Sequence, residues 1–376
     1  MPKESANRSK LTSVTLEGYK SIGTRGLAQT LKLSDITIMI GANGSGKSNF
    51  VSFFKMLNHM MTGALQLYVA KEGAAENFLH FGSKYTPVLS ALLEFENETD
   101  CDTYAFSLVK AVRDTLIFSE EYVTWNDRQL FAHSGGRESY LTDGETLQEG
   151  QQVVKKILSS CRAFQFHDTS NSAHIRNNCL LSNDRYLMSD GGNLAAFLYR
   201  LKSSERFNKY YQRIVERIRF MMPQFGDFVL EPQEANEHVI SLKWVALGDE
   251  EYTFGAEQLS DGAIRFMALA TLFLQPPELL PQVIILDEPE LGLHPRAIDM
   301  LAYLIRSVTP YSQVIVATQS PRLLDNFGPE NVTIAEYDNK SQSSVYRRLS
   351  EEDLSEWLAE YTMSQLWEKN VIGGQP

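Results

Sequence analysis

The sequence predicts an α/β protein in which a mainly parallel core sheet is joined to an antiparallel β subdomain and a helical accessory lobe. Three observations predict it. "LKLSDITIMI" reads as a strand running into the glycine-rich "GANGSGKSN", after which "SNFVSFFKMLNHMM" has helical spacing. Residues 86–131 alternate apolar and polar in short segments separated by Asn, Asp and Gly. From about residue 255, helices alternate with the aliphatic strands "VIILDE" and "QVIVATQ", the pattern of parallel strands covered on both faces.

Taken in order, "LTSVTLEGYKSIG" alternates like a strand from Leu11, and with the strand ending at Gly41 and the segments to 131 it makes an N-terminal lobe, residues 1–135. The middle, 136–250, changes composition. It has glycine-rich, charged breaks at "HSGGRESYLTDGETLQEG" and one long helical stretch, "SSERFNKYYQRIVERIRFMM", and reads as the helical accessory lobe. Arg206, Lys209, Arg213, Arg217 and Arg219 on that stretch are a solvated face or a contact surface. Residues 251–376 form a C-terminal lobe that closes with a polar tail.

With 376 residues, 43% of them hydrophobic, the chain can bury a substantial core. Its net charge of -12 repels nucleic acid and anionic membrane, so any DNA contact requires a local basic patch. The three cysteines, Cys101, Cys161 and Cys179, lie far apart, without the paired spacing of a zinc site or a disulfide framework. From the polar start "MPKESANRSK" and the lack of a long apolar run, neither a signal peptide nor a membrane span is expected. The expected compartment is the cytoplasm.

Gly41, Gly46, Lys47 and Ser48 match G-x-x-x-x-G-K-[ST] between a strand and a helix, as a phosphate-binding loop requires. In such a loop the backbone N–H groups of Asn43, Gly44, Ser45, Gly46 and Asn49 face an anion, and the helix N-terminus adds the positive end of its dipole. Lys47 reaches the β- and γ-phosphates and Ser48 ligates magnesium. "VIILDEPE" delivers Asp287 and Glu288 at the end of a buried strand, where open α/β sheets place ligands. Asp287 suits the magnesium and Glu288 the attacking water. Together these indicate a nucleoside triphosphatase. The lack of NKxD favours ATP over GTP.

"LSDG", Leu259–Gly262, opens an apolar helix, ends about 25 residues before Asp287, and by itself reads as a cap. In this order the motifs resemble the ATP-binding-cassette (ABC) superfamily of P-loop NTPases. "LSDGAIRF", "DEPELGLHP" and "ATQSP" are similar to the RecF/SMC branch, above all to stand-alone predicted ATPases of the AAA-21 or OLD-like group. "GYKSIG", "DGGNLAAFLYRL" and "LWEKNVIGGQP" extend the likeness over most of the chain.

The resemblance implies that Ser260 and Gly262 contact the γ-phosphate of ATP held by a second subunit, and that "PELGLHP" is the loop crossing to that subunit. There His294 either meets the opposite nucleotide or is structural. Lys20 is a nucleotide-site candidate or a surface lysine. Gln319 stands where many relatives carry a switch histidine; it can bond phosphate or water but cannot carry a proton's charge, so hydrolysis is expected to be slow. Asp261 is a cap or a partner contact. Gln165 lacks an anchoring motif as a Q-loop glutamine, and His167–Asp168 lacks the further ligands of a metal pair.

The expected function is an ATP- and magnesium-dependent homodimer or higher oligomer that gates a protein effector, such as a nuclease or toxin subunit, or DNA, in anti-phage defence or genome maintenance. A transporter ATPase would carry LSGGQ, a clear Q-loop and a switch histidine. A nuclease of the OLD type would need a Toprim domain, for which residues 320–376 are too few.

Overall fold

Every side chain of Ile36–Ile40 is buried, so this short aliphatic stretch lies inside a sheet and not at its edge. The computed structural model describes residues 9–96, 101–125, 128–142 and 147–375; the polar start at 1–8 and part of the glycine-rich break, 143–146, lie outside them. The chain forms two units, one from residues 1–163, 282–285 and 313–376, the other from 164–281 and 286–312.

In chain order the first unit opens with β1 (Lys10–Glu17), β2 (Gln29–Lys32), β3 (Ile36–Ile40), α1 (Lys47–Met61) and α2 (Leu65–Lys71). β4 (Val88–Glu96), β5 (Cys101–Ala111), β6 (Thr115–Trp125), β7 (Arg128–His133), α3 (Glu149–Ser159) and β8 (Cys161–Phe164) follow. The second unit carries β9 (Cys179–Leu180), α4 (Leu194–Ser203), α5 (Asn208–Met221), β10 (Phe225–Val229), β11 (Pro232–Gln233), β12 (Asn236–Ile240), β13 (Lys243–Ala246), β14 (Asp249–Gly255) and α6 (Asp261–Leu274). After β15 (Val283–Asp287) and α7 (Pro295–Val308) come β16 (Gln313–Thr318), α8 (Pro321–Leu324), β17 (Val332–Asp338), β18 (Ser343–Arg348), α9 (Glu351–Leu358) and α10 (Met363–Glu368).

The alternating segments between 86 and 131 form an antiparallel sheet as expected, in the order β2-β1-β4-β5-β6-β7. Its inward row, Leu89, Ala91, Leu93 and Phe95 of β4, packs in one apolar cluster with Phe50, Phe53 and Phe54 of α1. Phe53 stacks on Phe106 with ring centroids 6.3 Å apart. Burying each of these phenylalanines contributes roughly 1.5–3 kcal/mol. The long side of α1 is thereby fixed, leaving its N-terminus at the end of β3.

The second sheet has the order β18-β17-β3-β16-β15-β8. β3 pairs in parallel with both β16 and β17, Ile38 lying opposite Val316 on one side and Val332 on the other. The segment read as a polar tail therefore corrects that reading: β17 and β18 form an antiparallel hairpin that extends the core sheet, and two short helices follow. Its strands mix serine, arginine and glutamate with the aliphatics, which masks their period.

In the second unit the stretch 203–222 is not one helix. The chain turns at Ser204–Phe207, and α5 then packs its Tyr211, Ile214, Val215 and Ile218 side inward. Residues 225–255 add two small antiparallel sheets, β10-β13-β14 and β11-β12-β9, which the helical reading did not anticipate. Trp244 stacks between Phe225 and Phe254, at 5.9 and 4.5 Å. Helix α6 is buried from Ile264 to Phe273, as its apolar run requires. Among the described residues no helix is long and apolar enough to cross a membrane.

Candidate functional site

The loop Gly41–Asn49 leaves the buried end of β3 and enters α1, a helix without an acidic residue in its first turn. Its glycines are used for different reasons. Gly44 and Gly46 have φ of 79° and 103°, where a side chain is strained. Gly41 lacks room for one, since a Cβ would stand 2.1 Å from the carbonyl oxygen of Ala335. Lys47 is buried and folds back along the loop, its Nζ donating to the Gly41 and Ala42 carbonyls at 2.6 and 2.8 Å. Ser45 is buried beneath, whereas Ser48 is exposed at the helix start.

Two other candidates of this unit can be placed. Gln319, at the end of β16, donates from Nε2 to Asn43 Oδ1 at 2.7 Å, so the switch position and the loop already touch. Lys20 sits at φ 50° with its ammonium over the rings of Tyr19 and Phe78, 5.6 and 5.7 Å from their centroids, and burial draws its pKa down from the ordinary value. The neighbouring Ser21 is the residue that reaches the loop region. Asn49 Nδ2 donates to its Oγ at 2.7 Å.

In the second unit Ser260 caps α6, its Oγ accepting from Ala263 N at 3.3 Å. Gly262 follows at the second position of α6. It lies within the helix and is tightly packed, since a Cβ there would come within 2.5 Å of the Gly292 carbonyl. Asp261 is exposed at the start of α6 and is paired within its own chain. Its Oδ1 pairs with Arg176 Nη2 at 2.8 Å, and bonds from the Thr169 hydroxyl and from Arg176 hold its carboxyl below the usual range. The repulsion expected between Asp261 and an anion is thus offset within the chain.

His294 is the N-cap of α7, with Nδ1 accepting from Arg296 N at 3.3 Å and Pro295 at the first helical position. Ser260, Gly262 and His294 share the wall of a cavity of about 570 Å³, together with Met221, Met222 and Phe266. The "LSDG" segment and the loop after Glu288 therefore meet around one open space.

Gln165 is anchored, contrary to its reading from motifs. Its Nε2 donates to Asp287 Oδ2 at 2.9 Å, and His167 Nε2 donates to the Asp287 carbonyl at 2.6 Å. Asp287 is buried, and Glu288 next to it is held at φ 40°, a conformation non-glycine residues adopt only where surrounding structure enforces it. Asp168 turns to Ser170, so His167 and Asp168 serve different bonds.

Arg265 ties these parts together. From inside α6 its guanidinium donates to the carbonyls of Phe166 and His167, both at 2.8 Å, to the carbonyl of Leu291, and to Thr169 Oγ1 at 3.3 Å. Arg176 does the same for the turn before the helix, reaching the Ala256 carbonyl, the Leu259 carbonyl at 3.1 Å and Asp261. Neither arginine was singled out from sequence. The available signal was an arginine inside the otherwise apolar "AIRFMALATLFL". Elsewhere, Ser320 caps α8 with Pro321 at its first position, whereas Asn193 of "DGGNL" stands at the start of α4 but uses its side chain on Met188 N, Asn183 O and Tyr186 O.

Residues 157–325 match a family model, AAA-21, described as "AAA domain, putative AbiEii toxin, Type IV TA system". No curated protein matches the chain by sequence. Among solved structures, an SMC head bound to the C-winged helix domain of ScpA superposes with a TM-score of 0.61 at 16% identity, covering 92% of this chain and 99% of that one. An SMC head with an extended coiled coil, bound to the C-terminal domain of ScpA derived from Pyrococcus furiosus, gives 0.61 at 15% identity, covering 94% and 99%. At such identities the likeness is one of fold. Residues 157–325 are thus similar to the AAA-21 family, and the chain as a whole has the fold of an SMC head.

Proposed function

We propose that the chain binds ATP and magnesium on the Gly41–Asn49 loop, that two copies close around the nucleotide, and that hydrolysis reopens them to gate a protein effector or DNA. Anti-phage defence or genome maintenance is the setting the motifs favour. The observation that carries the nucleotide reading is the loop itself: a buried lysine folded along two loop carbonyls at the mouth of a helix N-terminus free of acidic residues. On binding, Lys47 exchanges those carbonyls for phosphate oxygens.

Ser48 and Asp287 offer hard oxygen donors, which suit magnesium and not a softer metal, and the Gln165 amide on Asp287 fixes one carboxylate oxygen. When bound, magnesium neutralises phosphate charge. Glu288 is the base for the attacking water. Gln319, bonded to Asn43, donates to the γ-phosphate but takes no proton, which keeps turnover slow. Ser260 and Gly262 present the N-terminus of α6 to the nucleotide of the second copy, with His294 on the same cavity wall.

The SMC heads that share this fold were solved bound to ScpA domains, which favours a protein partner. Gln165 supplies the glutamine missing from the motif comparison, but LSGGQ and a switch histidine are still lacking, so a gated effector is favoured over a transporter. Titration calorimetry with MgATP tests the reading: wild-type chain binds, and Lys47→Ala loses binding by at least about 100-fold. Unchanged affinity in that variant would remove the phosphate-loop assignment.

A further inference from the structure

Both ends of the Gly41–Asn49 loop rest on the C-terminal hairpin. Ala335 of β17 and Tyr346 of β18 are directly paired. The Ala335 carbonyl fills the space beside Gly41, where a Cβ would meet it at 2.1 Å. Tyr346 donates its hydroxyl to the Gly46 carbonyl at 3.0 Å, and its ring packs on Phe50 with centroids 6.2 Å apart. Ser344 takes the space beside Gly46, its Oγ lying 2.2 Å from where a Cβ would be. That hydroxyl donates to Ser21 Oγ at 2.7 Å, the same oxygen that accepts from Asn49 Nδ2, and Ser344 N donates to Ser21 O at 2.7 Å.

The Gly46 carbonyl thus has two donors, Tyr346 from the side and Phe50 N at 3.1 Å from the first turn of α1. A trans peptide is planar, so its N–H points opposite to its C=O. Holding the Gly46 carbonyl on β18 therefore holds the N–H of Lys47 in the opposite direction. A phosphate cradle needs that N–H turned towards the anion and the carbonyl turned away. Gly46 sits at φ 103° and has no side chain of its own to fix the peptide. The hairpin lies beyond residues 157–325, the part the family model matches.

We infer that Tyr346 is a positioning residue for phosphate binding, with Ser344 as its second support: β18 sets the Gly46–Lys47 peptide, and so the anion affinity of the loop. This rests on the nucleotide reading given above. Tyr346 touches no phosphate and acts through the backbone. Its ring belongs to the core and its hydroxyl to the loop, so Tyr346→Phe separates the two roles.

The test is titration of the full chain with MgADP at a temperature well below melting, alongside circular dichroism to verify folding. Tyr346→Phe and Ser344→Ala are each expected to weaken ADP binding about five- to tenfold, the loss of one buried hydrogen bond, whereas Tyr337→Phe, on the same hairpin with its side chain partly exposed, binds like wild type. A lowered melting temperature with unchanged ADP affinity in both Tyr346→Phe and Ser344→Ala would overturn the inference. Should Tyr346→Phe fail to fold, Ser344→Ala decides alone. Lys47→Ala separates the two levels. If it abolishes binding while both hairpin variants bind normally, only the positioning role falls; if it binds ADP normally, the nucleotide reading falls as well.

Discussion

The side-chain amide of Gln165 donates to the carboxylate of Asp287 at 2.9 Å, across 122 positions of sequence. Asp287 ends the aliphatic strand and was legible at once; Gln165 was not, because nothing around it in sequence announces the bond. Gln165→Ala is expected to slow ATP hydrolysis about tenfold while changing magnesium-free nucleotide affinity less than about twofold, since the bond orients a metal-binding carboxylate and not the loop. Steady-state turnover measured beside titration of ATP in EDTA checks it. Equal loss of both would place Gln165 in the fold and not in the chemistry.

Arg265 satisfies three backbone carbonyls from one buried guanidinium. Arg265→Ala leaves them without that donor, at a cost of about 3 kcal/mol and a fall of several degrees in Tm. Arg265→Lys should recover little of this, because a point cation cannot reproduce a planar fork of donors. Thermal unfolding of the three proteins decides; full recovery with lysine would show that charge alone suffices.

Gly262→Ala places a methyl 2.5 Å from the Gly292 carbonyl, against backbone that cannot yield cheaply. The start of α6 and the loop before His294 must then part. The expected result is normal ATP binding on the Lys47 loop with ATP-dependent association lost, read by light scattering with and without MgATP. Normal association in this variant would show that the packing of Gly262 is not needed for closure.

Arg176 and Thr169 hold Asp261 ionised, which gives its contribution a defined pH window. Because its folded pKa lies below the ordinary 3.8, the stability it adds is present above that value and is lost as pH falls through the lower folded value. Asp261→Asn should therefore lose that contribution at neutral pH and converge on wild type as pH falls below the ordinary 3.8, which flattens the acid limb. Urea midpoints between about pH 2.5 and 7 check the sign. A variant that matches wild type at neutral pH and differs from it mainly below pH 3.8 would contradict it.

What was legible in the sequence is what is local. The loop Gly41–Asn49, the strand ending at Asp287, the cap at Ser260 and the alternation of 86–131 each lie within one short stretch, where spacing and side-chain type report the backbone. The unread part is tertiary. Arg176 meets Asp261 across 85 positions and Tyr346 meets Gly46 across 300. The β17–β18 hairpin reads as a polar tail in sequence because a strand at one end of a sheet mixes polar and apolar residues. The close packing of Gly262 on Gly292 is tertiary in the same way, since residue type alone does not report it.

Formation of the site between two copies can be tested by mixing chains. Ser260→Arg and Lys47→Ala are each expected to be inactive alone. Mixed, they can assemble one site free of both lesions, with an intact loop from the first and an intact signature from the second, and recover part of the ATPase rate. Complete absence of recovery, with both chains folded, would count against assembly in trans.

The most direct measurement is analytical ultracentrifugation of Glu288→Gln with and without MgATP. This variant keeps the loop, Asp287 and the signature, and removes only the proposed base. The account predicts a monomer that becomes a stable dimer on addition of MgATP and stays so because the nucleotide is not hydrolysed. A protein that binds MgATP yet sediments as a monomer throughout would contradict it.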